Sequence, residues 1–269
     1  MIKNNTVIKS YLKKLNEAYD GSEIILQTTI QLFIWLFMYV LIMVSISKTD
    51  KSLSEKINKI TGKYYNIRII DSDVPSAFCF GGFTNPIFIT KGLMKLMNER
   101  ELISICLHEV SHITTYDSLQ SFVVQYSSIS IGQEIALGFV NFLSKNKNTN
   151  IISVAILVGL LTILISTIPT LLLGKYHDLK SDKYVIQYGY GKDLISALQK
   201  IEKWVLENKV KDSKIKMFFH KIQHYYDVHP TVKTRVDKLL KNIELYEAMI
   251  KNNKSKIKNI IYKTIGENQ

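Results

Sequence analysis

Cysteine is scarce in this chain, which holds only Cys79 and Cys106 among its 269 residues. Their spacing forms neither a disulfide framework nor the closely paired thiols of a cysteine-based zinc site. A free cysteine behaves as a small hydrophobic side chain in a protein core, so we expect Cys106 to be a packed residue. Any metal site has to be built from other side chains.

Sequence signatures of nucleic-acid binding are also missing. The formal net charge is +12, and lysines are spread over the whole chain. Such an excess of positive charge can bind nucleic acid, bind anionic lipid or simply lie on a solvated surface. The chain has no zinc knuckle, RNA-binding signature or basic-region heptad, so we expect no nucleic-acid partner. Because long apolar runs accompany the charge, attraction to anionic lipid headgroups is the interpretation that we favour.

Two long segments carry no charge at all. Residues 24–47 and residues 151–173 are each long enough to cross the hydrocarbon layer as a helix. Residues 24–47 are longer than the apolar core of a signal peptide and have no small-residue cleavage site, so we expect an uncleaved transmembrane helix. In the second segment, Pro169 is expected to kink the helix, which membrane helices tolerate. A weaker apolar run covers residues 118–144, with Glu134 as its only charge.

The segment LHEVSHITTYD carries the candidate chemistry. Asn98 and Glu101 form a capping-box pattern before it, which predicts that a helix begins there. On a helix, His108 and His112 share one face and can bind one zinc ion. Glu109 is rotated from the first histidine by about 100°, so it can act as a general base on zinc-activated water without becoming a ligand. This is the HExxH pattern of zinc peptidases.

A zinc site needs a further ligand, and the segment after the second apolar run offers candidates. Asp178 and Asp182 lie four residues apart on a predicted helix. The first can bind the metal, while the second can hydrogen-bond a ligand histidine. His177 is a competing ligand, because imidazole is the better zinc donor by type. Asp117 is either another hydrogen-bond partner of a ligand histidine or a helix-end residue. Spacing alone leaves these alternatives open.

The candidate ligands constrain the membrane topology, because they lie on both sides of residues 118–174 and must meet on one side of the bilayer. If residues 151–173 cross, residues 119–143 have to cross back, so the two form a hairpin joined by residues 145–150. The alternative is that both runs pack in a soluble core.

The hairpin interpretation divides the chain into a polar N-terminal tail (1–23), a transmembrane helix (24–47), a first part of the peptidase domain (48–118), a membrane hairpin (119–174), a second part of that domain (175–250) and a basic C-terminal tail (251–269).

The remaining sequence mixes helix and strand patterns. Short strands are predicted at residues 66–70, 77–80 and 86–90, with Gly81–Gly82 as a turn between the last two. Amphipathic helices are predicted at residues 192–208 and 232–252. We therefore expect an α+β chain that is mainly helical, with a small β-sheet and transmembrane helices.

Taken together, these motifs resemble the HtpX and CAAX-prenyl-protease type of integral-membrane zinc metallopeptidases. HEVSHITTYD is similar to that family's active-site helix, and SAFCFGGFTNPIFITKGLMKLMNERELISICL is similar to the strands and helix before it. The family then has an apolar hairpin, a Glu-x-x-x-Asp helix and a His-Pro pair followed by an arginine. These correspond here to Asp178 with Asp182, and to His229 with Arg235. The resemblance covers roughly residues 50–245 and implies a zincin-like metallopeptidase domain with one zinc ion.

The resemblance also implies roles that spacing leaves open. It favours Asp178 over His177 as the third ligand. It implies that His229 hydrogen-bonds the substrate carbonyl or the oxyanion during attack, and that Arg235 holds this segment in place.

Three residues depart from the family pattern. Asp178 replaces a glutamate and is one methylene shorter, Ser76 replaces an asparagine, and Lys175 replaces an arginine. In addition, one predicted span precedes the domain where HtpX-type members have two. These departures leave two alternatives to a general endopeptidase: a dedicated signalling or sensor metalloprotease that cleaves one partner, and a non-catalytic membrane scaffold with a decayed metal site. The intact HExxH residues oppose the scaffold.

The expected substrate is a polypeptide from a membrane protein or a membrane-associated peptide. A free sheet edge formed by Ala77, Phe78 and Phe80 can bind an extended chain through its backbone, which gives loose sequence specificity. Lysines near the spans are slightly more numerous on the catalytic side, so the positive-inside rule favours a cytoplasmic active site. We therefore expect a multi-pass protein of the cell membrane, with lipid and polypeptide as its partners.

Overall fold

The computed structural model describes residues 30, 34, 37–79, 86–144, 151–209 and 229–266. Helices dominate these residues, together with one small sheet of mixed strand directions. This confirms the prediction of a mainly helical α+β chain. In chain order the elements are α1 (Phe37–Ile46), β1 (Lys48–Thr49), α2 (Lys51–Thr61), β2 (Asn66–Ile70), β3 (Ala77–Cys79), β4 (Pro86–Thr90), α3 (Lys91–Leu96), α4 (Glu99–Thr114), α5 (Asp117–Ser144), α6 (Ile151–Gln187), α7 (Gly191–Lys209) and α8 (Val232–Gly266).

The four strands are arranged in the order β1-β2-β4-β3. β2 and β4 are parallel, whereas β1 and β3 pair antiparallel with their neighbours. β4 is buried along its whole length, which agrees with its nearly continuous apolar sequence. β3 is the last strand in the order, so one of its edges carries no strand from the described part of the chain. The strand predicted at residues 77–80 ends at Cys79, and Phe80 and the Gly81–Gly82 turn lie outside the described residues.

The chain divides into two compact units, a smaller one with residues 1–47 and 129–165 and a larger one with residues 48–128 and 166–269. In the larger unit, α4 packs beside β3 and β4. Leu107 and Val110 of this helix are fully buried in the same hydrophobic cluster as Ile87 and Ile89 of β4. Each such side chain contributes about 1.5–3 kcal/mol when it is fully buried. Hydrophobic packing therefore holds the HExxH helix against β4, next to the last strand β3.

Two helices extend further than the sequence predicts. The helix predicted at 232–252 continues to Gly266, over most of the segment interpreted as a basic tail. Its sequence has no proline or glycine before Gly266, so nothing in its composition ends the helix earlier. Likewise, α6 continues through Pro169 to Gln187. The candidate third ligands therefore lie on the same helix as the apolar run, rather than on a separate one.

The apolar character of this helix is pronounced. Gly159–Gln187 is the one helix in the described residues that is long and apolar enough to cross a membrane, with a mean hydropathy of 1.4 in its most apolar window. No residue of that window is buried inside the protein. α1 is a shorter apolar helix, and residues 24–29, 31–33, 35 and 36 of the predicted first span lie outside the described residues. Within the smaller unit, α5 and α6 touch, since Thr162 donates a hydrogen bond to the carbonyl of Gly132 at 3.5 Å.

Glu101 anchors the start of α4. Its carboxylate accepts the backbone N–H of Asn98 at 2.8 Å, while the Asn98 side chain accepts the N–H of Glu101 at 2.9 Å. The predicted capping box is therefore present. The same carboxylate, which is only 2% exposed, also accepts hydrogen bonds from Ser196 and Lys200 of α7, each at 2.7 Å. One side chain thus caps the HExxH helix and ties it to its neighbour.

We expect Glu101→Ala to lower the free energy of unfolding by about 2–3 kcal/mol, because it removes the cap and leaves the partly buried donors of Asn98, Ser196 and Lys200 without this acceptor. In a protein of this size, that loss corresponds to a fall in Tm of about 4–10 °C, measured by thermal unfolding in detergent. Glu99→Ala is the matched control on the same helix turn. It breaks an exposed ion pair with Lys56, which contributes less than about 1 kcal/mol. Equal melting temperatures for the two variants would contradict the anchoring role.

Candidate metal centre

The α4 helix directs two imidazoles at one point. His108 and His112 lie four residues apart on it, and their Nε2 atoms are 3.1 Å apart. The Oδ1 atom of Asp178, on α6, lies 3.5 Å from Nε2 of His112 and 3.9 Å from Nε2 of His108. His108 and Asp178 are buried, and His112 is largely so. Three candidate donor atoms from two helices therefore face one small volume.

The spacing of these donor atoms fits a zinc ion. In a tetrahedral site, zinc–ligand bonds of about 2.0–2.2 Å place the donor atoms about 3.3–3.6 Å apart. The donors of His108, His112 and Asp178 all lie within 4.8 Å of one another, and two of the three separations are close to the tetrahedral value. Two imidazoles and one carboxylate are also the ligand types of catalytic zinc sites that keep a position open. The residues present therefore suit this metal.

Two further carboxylates, those of Asp117 and Asp182, contact the Nδ1 atoms of the two histidines. Nδ1–H of His112 donates to Asp117 Oδ2 at 2.9 Å. Nδ1 of His108 lies 3.1 Å from Asp182 Oδ1, and Arg235 donates to both oxygens of Asp182, at 2.6 and 2.9 Å. The contact with Asp117 assigns a proton to Nδ1 of His112, whereas Nδ1 of His108 also lies 3.3 Å from Nη2 of Arg235. Both Nδ1 atoms thus face these partners, and both Nε2 atoms face the candidate metal position. Such partners fix the ring orientation of a ligand histidine.

The electrostatics of the cluster favour positive charge at the same point. Burial opposes the charged form of His112, but hydrogen bonds to Asp117 and Asp178 outweigh it and raise the pKa of His112 to about 10. Burial likewise opposes the charged form of Asp117, yet its hydrogen bonds with His112 and Thr115 hold the pKa of this carboxyl below its usual value. The carboxylates are therefore ionised and surround the imidazoles with negative charge, which a divalent cation balances.

Glu109 lies beside the cluster without belonging to it. It is 8% exposed and lines the same cleft as His108 and His112. Its backbone carbonyl accepts a hydrogen bond from the Cys79 thiol of β3 at 3.4 Å. Burial and the nearby Glu109 carboxylate raise the pKa of that thiol, so the thiol stays protonated beside the carboxylate. A buried carboxylate that lines the cleft is suited to accept a proton there.

The competing ligand, His177, faces another partner. Its Nε2 atom lies 3.2 Å from Gln120 Oε1 and 3.5 Å from Asp117 Oδ1. The group that can hold a metal consists of His108, His112 and Asp178. The structure thus places Asp178 beside His108 and His112, whereas the His177 ring faces Gln120 and the carboxylate of Asp117.

The residues of the His-Pro segment also reach the cluster. His229 donates from Nδ1 to Asp178 Oδ2 at 2.7 Å, while Arg235 binds Asp182 as described above. The family resemblance implies a substrate contact for His229 and gives no sign of its hydrogen bond with Asp178, a candidate metal ligand. That contact joins residues 51 positions apart, so no local pattern reports it. The substrate role of His229 stays a prediction.

A cleft of about 1140 Å³ opens at these residues. Ala77 and Phe78 of the predicted substrate edge line it, together with Glu109. One wall of the cleft is apolar and is formed by the α7 residues Leu194, Leu198, Ile201 and Val205. These four residues were not predicted as part of the site, although their spacing of four, three and four residues is typical of one face of an amphipathic helix.

A family model described as Peptidase family M48 matches residues 43–243, which is most of the chain. This chain belongs to peptidase family M48. The predicted relationship to HtpX-type peptidases is confirmed, and so is the prediction of a metalloprotease. The M48 match includes the HExxH helix, both candidate third ligands and the His-Pro segment.

Curated relatives of this M48 chain include bacterial proteases. A Protease HtpX homolog from Campylobacter concisus is 26% identical over 209 residues, which cover 70% of each chain. Another, from Caldanaerobacter subterraneus subsp. tengcongensis, is 28% identical over 197 residues and 64% of each chain. A crystal structure of S. mikatae Ste24p has a TM-score of 0.50 at 15% identity, covering 86% of this chain and 65% of that one. The fold is therefore shared with Ste24p, and the match spans roughly two thirds of the relatives' own length.

The amount of zinc bound by purified variants distinguishes the two candidate third ligands, Asp178 and His177. We expect Asp178→Ala to lower bound zinc well below one equivalent, because the cluster loses a donor and one negative charge. We expect His177→Ala to retain about one equivalent, since the His177 ring faces Gln120 and Asp117 instead. Elemental analysis after gel filtration gives both values. The reverse pattern would reassign the ligand to His177.

Proposed function

We propose that this chain is a membrane-bound, zinc-dependent endopeptidase that hydrolyses peptide bonds of membrane proteins or membrane-associated peptides. The observation that carries the proposal is the convergence of His108, His112 and Asp178 on one point, with the buried carboxylate of Glu109 lining the same cleft. Family M48 membership supports the peptidase activity. No observation in the structure favours the signalling protease or the decayed scaffold over this reading.

Each member of the site has a separate task in the proposed reaction. His108, His112 and Asp178 would hold the zinc, whose Lewis acidity polarises the scissile carbonyl and activates water at neutral pH when the metal is bound. Glu109 takes the proton of the attacking water and delivers it to the nitrogen of the leaving amine. Asp117 and Asp182 keep the two imidazoles in the tautomer and orientation that ligation requires.

The cleft supports a polypeptide substrate in extended form. Among the described strands β3 is the last of the sheet, and its residues Ala77 and Phe78 line the cleft. We propose that an extended chain binds alongside β3 through backbone hydrogen bonds. The apolar wall of α7, which includes Leu198 and Ile201, would receive an apolar side chain near the scissile bond. We therefore propose loose specificity with a preference for apolar residues at that position.

A membrane location is supported by the apolar surface of the helices. Side chains such as Ile163, Ile168 and Leu172 of α6 are 46–64% exposed, and exposed apolar patches of this kind mark contact with lipid or protein. We propose that α6 crosses the bilayer as part of a multi-pass arrangement. The lysine distribution favours a cytoplasmic site.

The proposed role of Glu109 is tested by Glu109→Gln, which keeps the side-chain shape and removes the base. We expect this variant to bind zinc like wild type while cleaving casein or a quenched peptide about 10²–10⁴-fold more slowly in detergent. Glu99→Gln is the matched control, because it makes the same change on the exposed side of the same helix. Equal cleavage by wild type and Glu109→Gln would remove the enzyme proposal.

The membrane proposal is tested by fractionation of expressing cells. We expect the protein to remain in the membrane pellet after an alkaline carbonate wash and to need detergent for release, because apolar helices of this length are buried in the hydrocarbon layer. A peripheral protein of the same cells is the control for complete stripping. Release of the chain by carbonate would refute a membrane-spanning arrangement.

A further inference from the structure

The Asp178 carboxylate is shared between two sets of partners. Its Oδ1 atom faces Nε2 of His108 and of His112, at 3.9 and 3.5 Å. Its Oδ2 atom accepts the hydrogen bond from Nδ1–H of His229 at 2.7 Å, and no other described residue donates to that oxygen. One oxygen is therefore left to a metal, while the other is held by His229.

This division matters because an aspartate carboxylate is free to rotate. The terminal torsion of the side chain has only a broad, roughly two-fold preference, so nothing intrinsic to Asp178 holds one oxygen towards the histidines. Asp178 is only 2% exposed, so an oxygen turned away from the metal needs a hydrogen-bond donor. His229 supplies that donor and thereby defines the rotation.

The same short segment supports a second ligand. Arg235 binds Asp182 through two hydrogen bonds, and Asp182 contacts Nδ1 of His108. His229 and Arg235 are six residues apart, at the entry to α8. One segment thus orients a carboxylate ligand directly and an imidazole ligand through Asp182.

We infer that His229 is a positioning residue that orients Asp178 for metal binding, a role distinct from the substrate contact implied by the family resemblance. The inference rests on the proposed zinc-dependent function. It also explains how aspartate serves where the family has the longer glutamate. The hydrogen bond turns Oδ1 towards the histidines, so the shorter side chain presents one oriented oxygen.

The inference is tested by zinc affinity rather than by activity. His229→Asn places an amide nitrogen as many bonds from the backbone as Nδ1, so it keeps the donor. His229→Leu has nearly the same shape as asparagine and no donor. The His229 side chain is 68% exposed, so neither substitution removes much packing. We expect the zinc-free asparagine variant to melt near the wild-type temperature and the leucine variant to melt somewhat below it, because Asp178 Oδ2 then lacks its donor. Both proteins are compared at a temperature where they are folded. Lys233→Ala, an exposed change in the same segment, is the control.

Competition with a chelator in detergent gives the zinc affinity of each protein. We expect His229→Leu to bind zinc about 10–100-fold more weakly than wild type, and His229→Asn and Lys233→Ala to bind it almost as tightly. Equal affinities of the leucine variant and wild type would overturn the positioning role, and slow cleavage at normal affinity would assign His229 to the substrate alone. Equally weak binding by the asparagine and leucine variants would refute the donor mechanism. Wild-type protein that binds no zinc would instead overturn the proposed function itself.

Discussion

The arrangement of this site depends on one electrostatic requirement: three buried carboxylates and two imidazoles have to balance their charge at one point. Asp117, Asp178 and Asp182 are each only 2–3% exposed, and an ionised carboxylate is costly to bury without a partner. Each of the three faces His108 or His112 in the structure. The imidazole orientations, the buried Arg235 and the suitability for a divalent cation are all consequences of that pairing.

Helix geometry explains how two chain regions about 70 residues apart meet this requirement. Asp178 and Asp182 lie one turn apart on α6, so one faces Nε2 of His108 and the other faces Nδ1 of the same ring. Helix α6 therefore supplies both a candidate ligand, Asp178, and the carboxylate of Asp182, which orients the candidate ligand His108 on α4. The contacts of Asp178 and Asp182 with His108 join α6 to α4, and Glu101 joins α4 to α7.

The parts of the site that depend on local spacing could be predicted from the sequence. His108, Glu109 and His112 follow from helical periodicity, and the capping box at Asn98 follows from a pattern within four residues. The preference for Asp178 over His177 needed the family resemblance, because spacing does not show which way adjacent side chains point. The contact of His229 with Asp178 could not be predicted by either route, since it depends on how the entry to α8 packs against α6. The strands at residues 66–70 and 86–90 begin and end where they were predicted. The end predicted for the last helix was wrong, because its sequence has no stop signal at residue 252 and the helix continues to Gly266.

The continuity of α6 also connects the candidate chemistry to the proposed membrane position. Asp178 is five residues beyond Leu173, the end of the uncharged run, which is about 7–8 Å along a helix. If the run lies in the hydrocarbon layer, the metal ligands lie within the headgroup region or immediately above it, since that region is several ångströms thick on each side. A cleft at this depth is reached most readily by chains that already lie at the membrane surface. In the proposed function, this depth of the cleft is the reason to expect membrane-associated substrates.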